Sequence, residues 1–273
     1  TSTTDFGNVW IPQMIKINQK SYSLNMEIGE KFNTPLVSII VNCYNGRAFL
    51  NECIQSVINQ DYQNWEIIFW DNNSEDDSVM IAQSFDEDRI KIHKSSKHTL
   101  LYEARNAALK CVNGDLVCFL DVDDYWHVNK LTRQVSLHNK GIMASFSSYL
   151  LIDENGNEMK AQPEFKGHFV AIKDLLRNNI ISLGTVCLNR SIVESNLFRE
   201  DLNLIGDFEL WLRISAEHEF AYIDERLEFS RQHSSNTSKI HAKRWIHERR
   251  KLYSLVLKSV SYTHLTLPTN REV

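Results

Sequence analysis

Residues 36–46 of the chain read LVSIIVNCYNG. The first six residues of this stretch are mostly apolar and β-branched, which is typical of a strand buried on both faces. The stretch ends in polar residues and a glycine, which indicates a turn directly after the strand. The sequence therefore predicts that a buried strand of a parallel sheet begins near Leu36.

The same pattern, an apolar strand followed by a polar turn, recurs further along the chain. Strands are predicted at 65–70, 89–93 and 116–120. Helical spacing of apolar residues lies between them, at 50–58 and 104–109. Alternating strands and helices predict an α/β fold with a mostly parallel, Rossmann-like central sheet flanked by helices.

Polar turns follow the first, second and fourth predicted strands. They lie at 42–46, 71–77 and 121–124, and Ser74 and the acids of the second turn are predicted to cap the helix after it. Because the carboxyl ends of parallel strands open on the same edge of a sheet, the three turns should converge on one crevice. Ligands bind at such an edge in open α/β sheets, so the sequence places a candidate site there.

The chain beyond the third of these turns has a less regular pattern, which predicts a smaller second subregion. Trp126 and Trp211 are predicted to be core residues rather than platforms for a ligand. The predicted elements of this region are helices at 128–138, 174–178 and 207–216, strands at 144–152 and 184–188, and a turn at 153–157.

The composition is that of a globular protein, since 42% of the 273 residues are hydrophobic and 24% are charged. The formal net charge of −5 gives no general basic field for phosphates, so nucleic acid is not expected as a partner. Five cysteines without a CxxC pair lie mostly in apolar runs and are expected to be reduced core thiols. Neither a membrane-spanning apolar run nor a signal peptide is recognisable, which favours a cytoplasmic protein.

The sequence divides into four segments that differ in composition and periodicity. Residues 1–34 are polar and weakly periodic and are interpreted as an N-terminal extension. Residues 35–238 form the main domain, 239–260 a basic amphipathic helix, and 261–273 a tail that looks non-native. The basic helix is expected to pack on its own domain with a solvated basic face, and peripheral contact with an anionic membrane at its inner face is the alternative.

An acidic turn, LDVDD at residues 120–124, directly follows the fourth predicted strand. Two carboxylates at i and i+2, here Asp121 and Asp123, can reach around one cation or its bound ligand. Hard divalent ions such as Mg²⁺ and Mn²⁺ prefer oxygen ligands of this kind. A solvated acidic turn is the alternative for an isolated motif, but the position at the end of a buried strand favours a binding site.

Short motifs occur in a fixed order and together span most of the main domain. They are VSIIVNCYN at 37–45, SVINQDY at 56–62, WDNNSED at 70–76, ARNAA at 104–108, LDVDD at 120–124, GDFELWLR at 206–213 and RQHSS at 231–235. In this order they resemble the inverting family 2 glycosyltransferases of the GT-A fold. The resemblance implies a nucleotide-sugar-binding half at 35–130 and an acceptor-binding half at 131–238.

The resemblance implies roles for the nucleotide-binding residues. Asn42, Tyr44 and Asn45 would surround the base, with Tyr44 stacking on it. Asn72 stands where the family usually has an aspartate that accepts a hydrogen bond from the uracil ring NH. An asparagine carbonyl can still accept that bond, yet the departure leaves the identity of the base open. Arg105 would approach the nucleotide or its diphosphate as a fixed cation.

The resemblance also implies the chemical roles. Asp121 would contact the ribose region, Asp123 would bind Mn²⁺ or Mg²⁺, and His233 would complete the environment of the metal or the diphosphate. Asp207 would be the general base that takes the proton from the acceptor hydroxyl. The implied reaction is metal-dependent transfer of a sugar from a nucleotide-sugar, expected to be a UDP-sugar, to a glycan or lipid-linked saccharide in bacterial cell-surface polysaccharide synthesis.

Alternative interpretations stay open at this stage. Tyr44 could be a packing residue, His233 an ordinary loop histidine, and Asp207 a helix N-cap. Arg105 could pair with a surface carboxylate such as Glu103. For the whole chain, a catalytically inactive nucleotide-sugar-binding or scaffold protein of the same fold is the main alternative. Nucleotidyl transfer ranks lower, because the turn after the first strand lacks a Gly-rich, basic phosphate loop.

Overall fold

The computed structural model describes residues 34–159, 165–177, 179–234, 236 and 243–253. In these ranges the strands join into one sheet, and helices pack on both of its faces. The strands are β1 Val37–Cys43, β2 Trp65–Asp71, β3 Ile90–Lys94, β4 Leu116–Phe119, β5 Tyr125–Trp126, β6 Ala144–Asp153, β7 Phe169–Val170, β8 Cys187–Asn189 and β9 Phe220–Gln232. The helices are α1 Leu50–Ile58, α2 Ser78–Gln83, α3 Leu101–Leu109, α4 Lys130–His138, α5 Ile172–Arg177, α6 Arg190–Ser195 and α7 Gly206–Ser215, with a 3₁₀ turn at Leu183–Thr185 and a further helical segment at 243–253.

The sheet has a parallel side and a mixed side. Its strand order is β3-β2-β1-β4-β8-β6-β9-β5, and β7 pairs with β9. Strands β1, β2, β3 and β4 all run parallel to one another, whereas β8 is antiparallel to both of its neighbours, β4 and β6. The predicted α/β fold with a mostly parallel central sheet is confirmed, and the parallel side carries the loops of the predicted site.

The core consists of one apolar cluster on each face of the sheet. Alternate side chains of β1 serve the two faces, so that Ile39 and Val41 pack in the cluster with α1, and Ile40 packs in the cluster with α3 and α7. Burying one such side chain contributes about 1.5–3 kcal/mol to folding. The prediction that Trp126 and Trp211 are core residues is confirmed, since they are only 3% and 0% exposed.

The longest strand, β9, is not anticipated by the sequence pattern. Its middle carries the charged residues Asp224, Glu225 and Arg226, so no apolar alternation marks a strand there. Its pairing with β6 is also irregular, because the register shifts on both sides of Ser148. The end of β9 nevertheless lies beside the acidic turn, where the amide of Arg231 is hydrogen-bonded, and this strand is therefore part of the frame of the site.

Two predictions at the ends of elements are wrong. Ser74 does not cap α2, which begins at Ser78, and its hydroxyl instead accepts a hydrogen bond from the amide of Asn45 at 3.0 Å. The predicted acids do lie at the start of this helix, since Asp77 is its N-cap residue and Asp76 accepts the Ser78 amide at 3.0 Å. The predicted strand at 184–188 begins as a 3₁₀ turn, and the strand itself starts only at Cys187. In both cases the loop before the element is longer than predicted, so that the helix or strand begins later in the chain.

The terminal segments are described only in part. Of the predicted basic helix at 239–260, residues 243–253 are helical. The remainder of that helix, residues 1–33 of the predicted extension and the predicted tail at 261–273 lie outside the described residues. Among the helices that are described, none is both long and apolar enough to cross a membrane. The domain boundaries thus stay predictions.

Candidate active site

Loops from β1, β2 and β4 meet at one edge of the sheet, as predicted. Cys43 at the end of β1 is the register partner of Asp71 at the end of β2. The loops beyond these residues are joined through Asn45, whose amide donates to the Ser74 hydroxyl at 3.0 Å and whose side-chain oxygen accepts the Glu75 amide at 2.9 Å. Asn45 therefore holds this turn together, and its left-handed backbone, with φ of 54°, suits an asparagine.

A partly buried ion pair joins α3 to the acidic turn. The guanidinium of Arg105 lies 2.6 Å from a carboxylate oxygen of Asp121, and the side chains are 5% and 40% exposed, respectively. The alternative pairing of Arg105 with Glu103 is therefore wrong. Because a guanidinium keeps its charge when buried, Arg105 places a fixed positive charge behind the partly exposed carboxylate of Asp121.

Asp123 and His233 form a second pair at the acidic turn, although they lie far apart in the chain. His233 Nε2 lies 2.9 Å from Asp123 Oδ2, with side chains 11% and 24% exposed. The side-chain amide of Asn236 donates to the same oxygen at 3.4 Å. Burial raises the pKa of Asp123, the nearby Asp121 raises it further, and the hydrogen bond to His233 lowers it. The fold thus brings together the two residues predicted to surround a metal ion.

Asp124 differs from the other two acids of the turn because it is buried, with 7% of its surface exposed. Its Oδ1 atom accepts the backbone amide of Arg231 at 2.7 Å. Its own amide donates to the carbonyl of Asp121 at 3.1 Å. Burial, and then the charge of Glu228, raise the pKa of Asp124 well above its usual range. Asp124 ties the acidic turn to β9 and is not presented to a ligand.

Asp207 lies half-buried in the first turn of α7, beside Tyr102 of α3. The Tyr102 hydroxyl donates to Asp207 Oδ1 at 3.2 Å and accepts the Asp207 amide at 3.2 Å. Gly206 makes room for this contact, because a Cβ there would lie 2.5 Å from the Tyr102 ring. The N-cap residue of α7 is Ile205, so the capping alternative for Asp207 is wrong. Burial raises the pKa of Asp207, and the nearby charge of Arg105 lowers it.

The predicted base-binding residues lie at the end of β1 and in the loops after β1 and β2. Tyr44 is 46% exposed, and its ring centroid lies 4.0 Å from that of His98, so Tyr44 does not serve the core. The side-chain nitrogen and oxygen of Asn42 are buried and have no hydrogen-bond partner among the described residues. Buried amides in proteins are normally satisfied, so Asn42 is suited to meet a ligand or water.

Asn72 is held against the loop at Thr99. Its Oδ1 atom accepts the Thr99 amide at 3.1 Å and the Thr99 hydroxyl at 3.0 Å, and its Nδ2 atom donates to the Thr99 carbonyl at 2.9 Å. Only 5% of Asn72 is exposed. Because both lone pairs of its oxygen are in use, Asn72 could accept a uracil NH only if Thr99 moved away.

Asp123 and His233 are the residues that fit a divalent ion. They offer a carboxylate oxygen and an imidazole nitrogen 2.9 Å apart, and Mn²⁺ accepts both kinds of ligand. In the part of the chain that the structure describes, no group of three or more His, Cys, Asp and Glu side chains is arranged to hold a metal alone. An ion at this pair would therefore need phosphate oxygens of a bound nucleotide to complete its shell.

Tyr102 and Arg231 belong to this site, although the sequence pattern predicts no role for either residue. They are 1% and 3% exposed, and a buried tyrosine near the start of a helix resembles any core residue in sequence. One signal for Tyr102 was available, because a spacing of three places it on the same helix face as Arg105. The Arg105 guanidinium lies 5.4 Å from the centroid of the Tyr102 ring. Arg231 was marked only as the first residue of the RQHSS motif at 231–235, which assigns it no role.

Comparison with known sequences identifies the family. A model of the family described as glycosyl transferase family 2 matches residues 38–196. The chain is 33% identical over 195 residues to WfgD of Escherichia coli, a UDP-Glc:alpha-D-GlcNAc-diphosphoundecaprenol beta-1,3-glucosyltransferase, covering 69% of this chain and 73% of that protein. It is 29% identical over 194 residues to the putative teichuronic acid biosynthesis glycosyltransferase TuaG of Bacillus subtilis (strain 168), covering 69% of this chain and 75% of TuaG. The chain belongs to glycosyl transferase family 2 and is a glycosyltransferase.

Solved structures with low sequence identity share the fold. S. aureus TarS 1–349 in complex with UDP-GlcNAc has a TM-score of 0.64 at 21% identity, over 73% of this chain and 59% of that chain. The mannosyltransferase PcManGT from Pyrobaculum calidifontis, in complex with GDP-Man and Mn²⁺, has a TM-score of 0.61 at 16% identity, over 82% and 64%. The GT-A fold is thereby confirmed, and this chain spans less than two thirds of either of those chains.

Proposed function

We propose that this glycosyltransferase transfers a sugar from a UDP-sugar to a hydroxyl group of a lipid-linked saccharide in the synthesis of a bacterial cell-surface polysaccharide. The observation that carries the proposal is a row of contacts across the crevice. Asp207 is bonded to Tyr102, which lies beside Arg105. Arg105 in turn pairs with Asp121 of the acidic turn. A candidate base and a candidate donor-binding turn are thus set at the same edge of the sheet.

The substrate classes are supported by the relatives. The name of WfgD states UDP-Glc as its donor and a diphosphoundecaprenol-linked GlcNAc as its acceptor. UDP-GlcNAc is bound to TarS, whereas GDP-Man is bound to PcManGT. The family match ends at residue 196, before Asp207 and His233, so the proposed roles of these two residues rest on the resemblance of the motifs at 206–213 and 231–235 and on the geometry described above.

Asp207 would act as the general base in a single displacement. The acceptor hydroxyl gives its proton to the Asp207 carboxylate, its oxygen bonds to the anomeric carbon, and the bond from that carbon to the nucleoside diphosphate breaks. Attack from the face opposite the leaving group inverts the anomeric centre. Burial raises the pKa of Asp207, which makes it a better proton acceptor than an ordinary aspartate. Tyr102 donates to Oδ1, and the backbone amide of Phe208 also forms a hydrogen bond with the carboxylate, so that two contacts hold it in place.

The donor-side residues would bind and orient the nucleotide. Tyr44 offers an exposed ring for stacking on the base, with Asn45 beside it in the loop and Asn42 near the end of β1. Arg105 supplies a fixed positive charge, and Asp121, which is paired with it, faces the ribose side. The base would be selected where Asn72 meets the loop at residues 98–99.

Asp123 and His233 would hold the Mn²⁺ or Mg²⁺ ion that the proposal requires. Such an ion, when bound, offsets the charge that develops on the departing diphosphate. The Mn²⁺ in PcManGT supports a divalent ion as a cofactor of this fold. The protein's own part is to keep a carboxylate oxygen and an imidazole nitrogen together at the end of β4, 2.9 Å apart.

The experiment is a donor panel with a GlcNAc-diphosphate-lipid as acceptor. UDP-, GDP- and dTDP-sugars are incubated with the protein and Mn²⁺, and release of nucleoside diphosphate is measured. We expect release from UDP-sugars, its loss on addition of EDTA, and its return with excess Mn²⁺. Stabilisation by a nucleotide-sugar in a thermal-shift assay, without turnover of any donor, would instead establish the inactive, nucleotide-sugar-binding alternative.

Contact with an anionic membrane, at its cytoplasmic face, is the remaining part of the proposal. The exposed residues of the helix at 243–253 include Lys243, Ile246 and His247, whereas Leu252 is buried in the core. A lipid-linked acceptor, as named for WfgD, would be presented at a membrane surface, where a basic and apolar helix face can bind. Co-sedimentation with phosphatidylglycerol vesicles tests this, and equal recovery with and without vesicles would remove the idea.

A further inference from the structure

We infer that Arg231 is a positioning residue that sets the acidic turn for binding the donor, and that Glu52 on α1 completes its contacts. The inference rests on the proposed function, because the turn it concerns is the proposed donor site. Its starting point is the burial of a permanent charge, since Arg231 is only 3% exposed. A buried charge is costly unless it is paired and fully hydrogen-bonded. The partners of Arg231 therefore indicate which parts of the structure it holds in place.

The first set of partners is the acidic turn itself. Arg231 Nε donates to the carbonyl of Asp123 at 3.0 Å. The Arg231 backbone amide donates to the carboxylate of Asp124 at 2.7 Å. Two consecutive residues of the turn are therefore held by one residue of β9, through its side chain and its backbone respectively.

The second set of partners lies on two other elements. Arg231 Nη2 forms a salt bridge with the carboxylate of Glu52 on α1. Arg231 Nη1 donates to the carbonyl of Glu154 at 3.2 Å, just beyond β6. The ring of Phe49 lies 4.6 Å from the guanidinium carbon, which adds a cation–π contact. One guanidinium thus connects β9, the acidic turn, α1 and the end of β6.

The position of Arg231 links this junction to the proposed metal ligands. Asp123 lies on the turn that Arg231 holds, and His233 follows Arg231 by two residues. The separation of 2.9 Å between Asp123 Oδ2 and His233 Nε2 depends on how the turn and the end of β9 are fixed to each other. The side-chain N–H groups of Arg231 donate to backbone carbonyls and to Glu52. Arg231 therefore acts through Asp123 and His233 and not on a substrate.

The test is binding of Mn²⁺ with UDP, measured by calorimetry well below the melting temperature of each variant. Groups that hold metal ligands in place typically change metal affinity about 10- to 100-fold when they are replaced. Arg231→Gln, which keeps only some of the donors, should weaken Mn²⁺–UDP binding by a factor in this range. The matched control is Arg226→Gln on the same strand, because Arg226 is 45% exposed and its ion pair among the described residues is with the exposed Glu158. We expect its affinity to stay within about twofold of the wild type.

A purely structural role for Arg231 gives a different result. It would lower the melting temperature of Arg231→Gln while leaving the affinity of the folded protein within about twofold of the wild type, and that result overturns the inference. If Arg231→Gln does not fold, Arg231→Lys is measured, since it keeps the charge but loses the forked geometry. An Arg231→Lys protein with wild-type affinity overturns the inference equally.

The wild-type measurement separates this inference from the proposed function. If the wild type binds neither UDP nor GDP in the presence of Mn²⁺, the proposed function fails and the inference fails with it. If the wild type binds and Arg231→Gln binds equally well, only the inference fails. Glu52→Gln should weaken binding less than Arg231→Gln, because the Glu52 side chain is 53% exposed and leaves the contacts to the turn intact.

Discussion

Asp207 and Tyr102 form the contact on which the proposed chemistry depends at the scale of single residues. The Tyr102 hydroxyl donates to the Asp207 carboxylate and thereby lowers the pKa of Asp207. Tyr102→Phe should raise that pKa, so that the base is protonated up to a higher pH. We therefore expect the acid limb of the kcat/KM profile to move to higher pH.

The control for this prediction is Tyr62→Phe. The Tyr62 hydroxyl donates to the carbonyl of Pro35 at 2.5 Å and has no contact with Asp207. Its pH profile should coincide with that of the wild type. An acid limb that stays in place in Tyr102→Phe would exclude Asp207 as the group that titrates in it.

Glu228 carries a buried carboxyl group whose titration affects stability. It is 0% exposed, and burial raises its pKa from 4.5 to about 7. Ser182 donates to it at 3.2 Å, and the charged groups near it are Asp124, Asp121 and Lys130. Because the pKa is higher in the folded state than in the unfolded state, the free energy of unfolding should fall as the pH rises from 4.5 to about 7.

Glu228→Gln keeps the shape of this side chain and removes its titration. As the pH rises from 4.5 to about 7, the free energy of unfolding of the wild type should fall by roughly 2–3 kcal/mol more than that of the variant. This figure follows from the size of the pKa change. Urea unfolding of both proteins at pH 5 and pH 8 measures how much the free energy of unfolding changes with pH in each. Equal losses in the two proteins would show that Glu228 does not titrate in this range.

Single site residues could be predicted from the sequence where a charged residue directly follows an apolar strand. Asp121 and Asp123 follow an apolar strand directly, so their position at the edge of the sheet follows from the pattern. The partners of these residues were not predictable, because Arg105 had several carboxylates within reach in sequence. Its choice of Asp121 over Glu103 depends on the packing of α3 against the sheet.

At the scale of elements, the helix at 243–253 is joined to the loop that precedes α7. Glu248 is 4% exposed and accepts the amides of Asn203 and Leu204 at 3.0 and 2.8 Å. The side chain of Asn203 accepts the amide of Leu101 at the start of α3 with a distance of 3.3 Å. The loop leading to the proposed base is therefore held from two sides.

Glu248→Gln should loosen this loop. A glutamine keeps one acceptor oxygen and loses the charge, which should lower the free energy of unfolding by about 1–3 kcal/mol. We expect kcat to fall more than the affinity for the donor, because the loop leads to Asp207 and not to the acidic turn. The matched control is Glu194→Gln on α6, where the side chain is 57% exposed. A donor affinity that falls as much as kcat would contradict this account.

Elements were predictable from sequence in proportion to their burial. Strands β1, β2 and β4 are almost wholly buried, so their apolar runs stand out. The long strand β9 is half-exposed, and its charged middle conceals it, although its last two residues are Arg231 and Gln232 and His233 follows directly. Its strand conformation depends on pairing with β6, which is distant in sequence and irregular in register.

At the scale of the whole molecule, the parallel side of the sheet supplies the donor-binding loops and the mixed side supplies the frame. The order β3-β2-β1-β4 follows from alternating strands and helices with right-handed connections. The order β8-β6-β9-β5 does not, because these strands pair in both directions. Asp207 and His233 come from this second half, and their approach to the acidic turn could be anticipated only through the family resemblance.

The central claim is that Asp207 is the base of a sugar transfer whose donor binds at the acidic turn. The most direct test compares Asp207→Asn with the wild type for transfer to the lipid-linked acceptor and for Mn²⁺–UDP binding. We predict a fall in kcat of about 10²- to 10⁴-fold, with donor affinity within about twofold, since the change removes a proton acceptor but no donor contact. Transfer by Asp207→Asn at the wild-type rate would contradict the account.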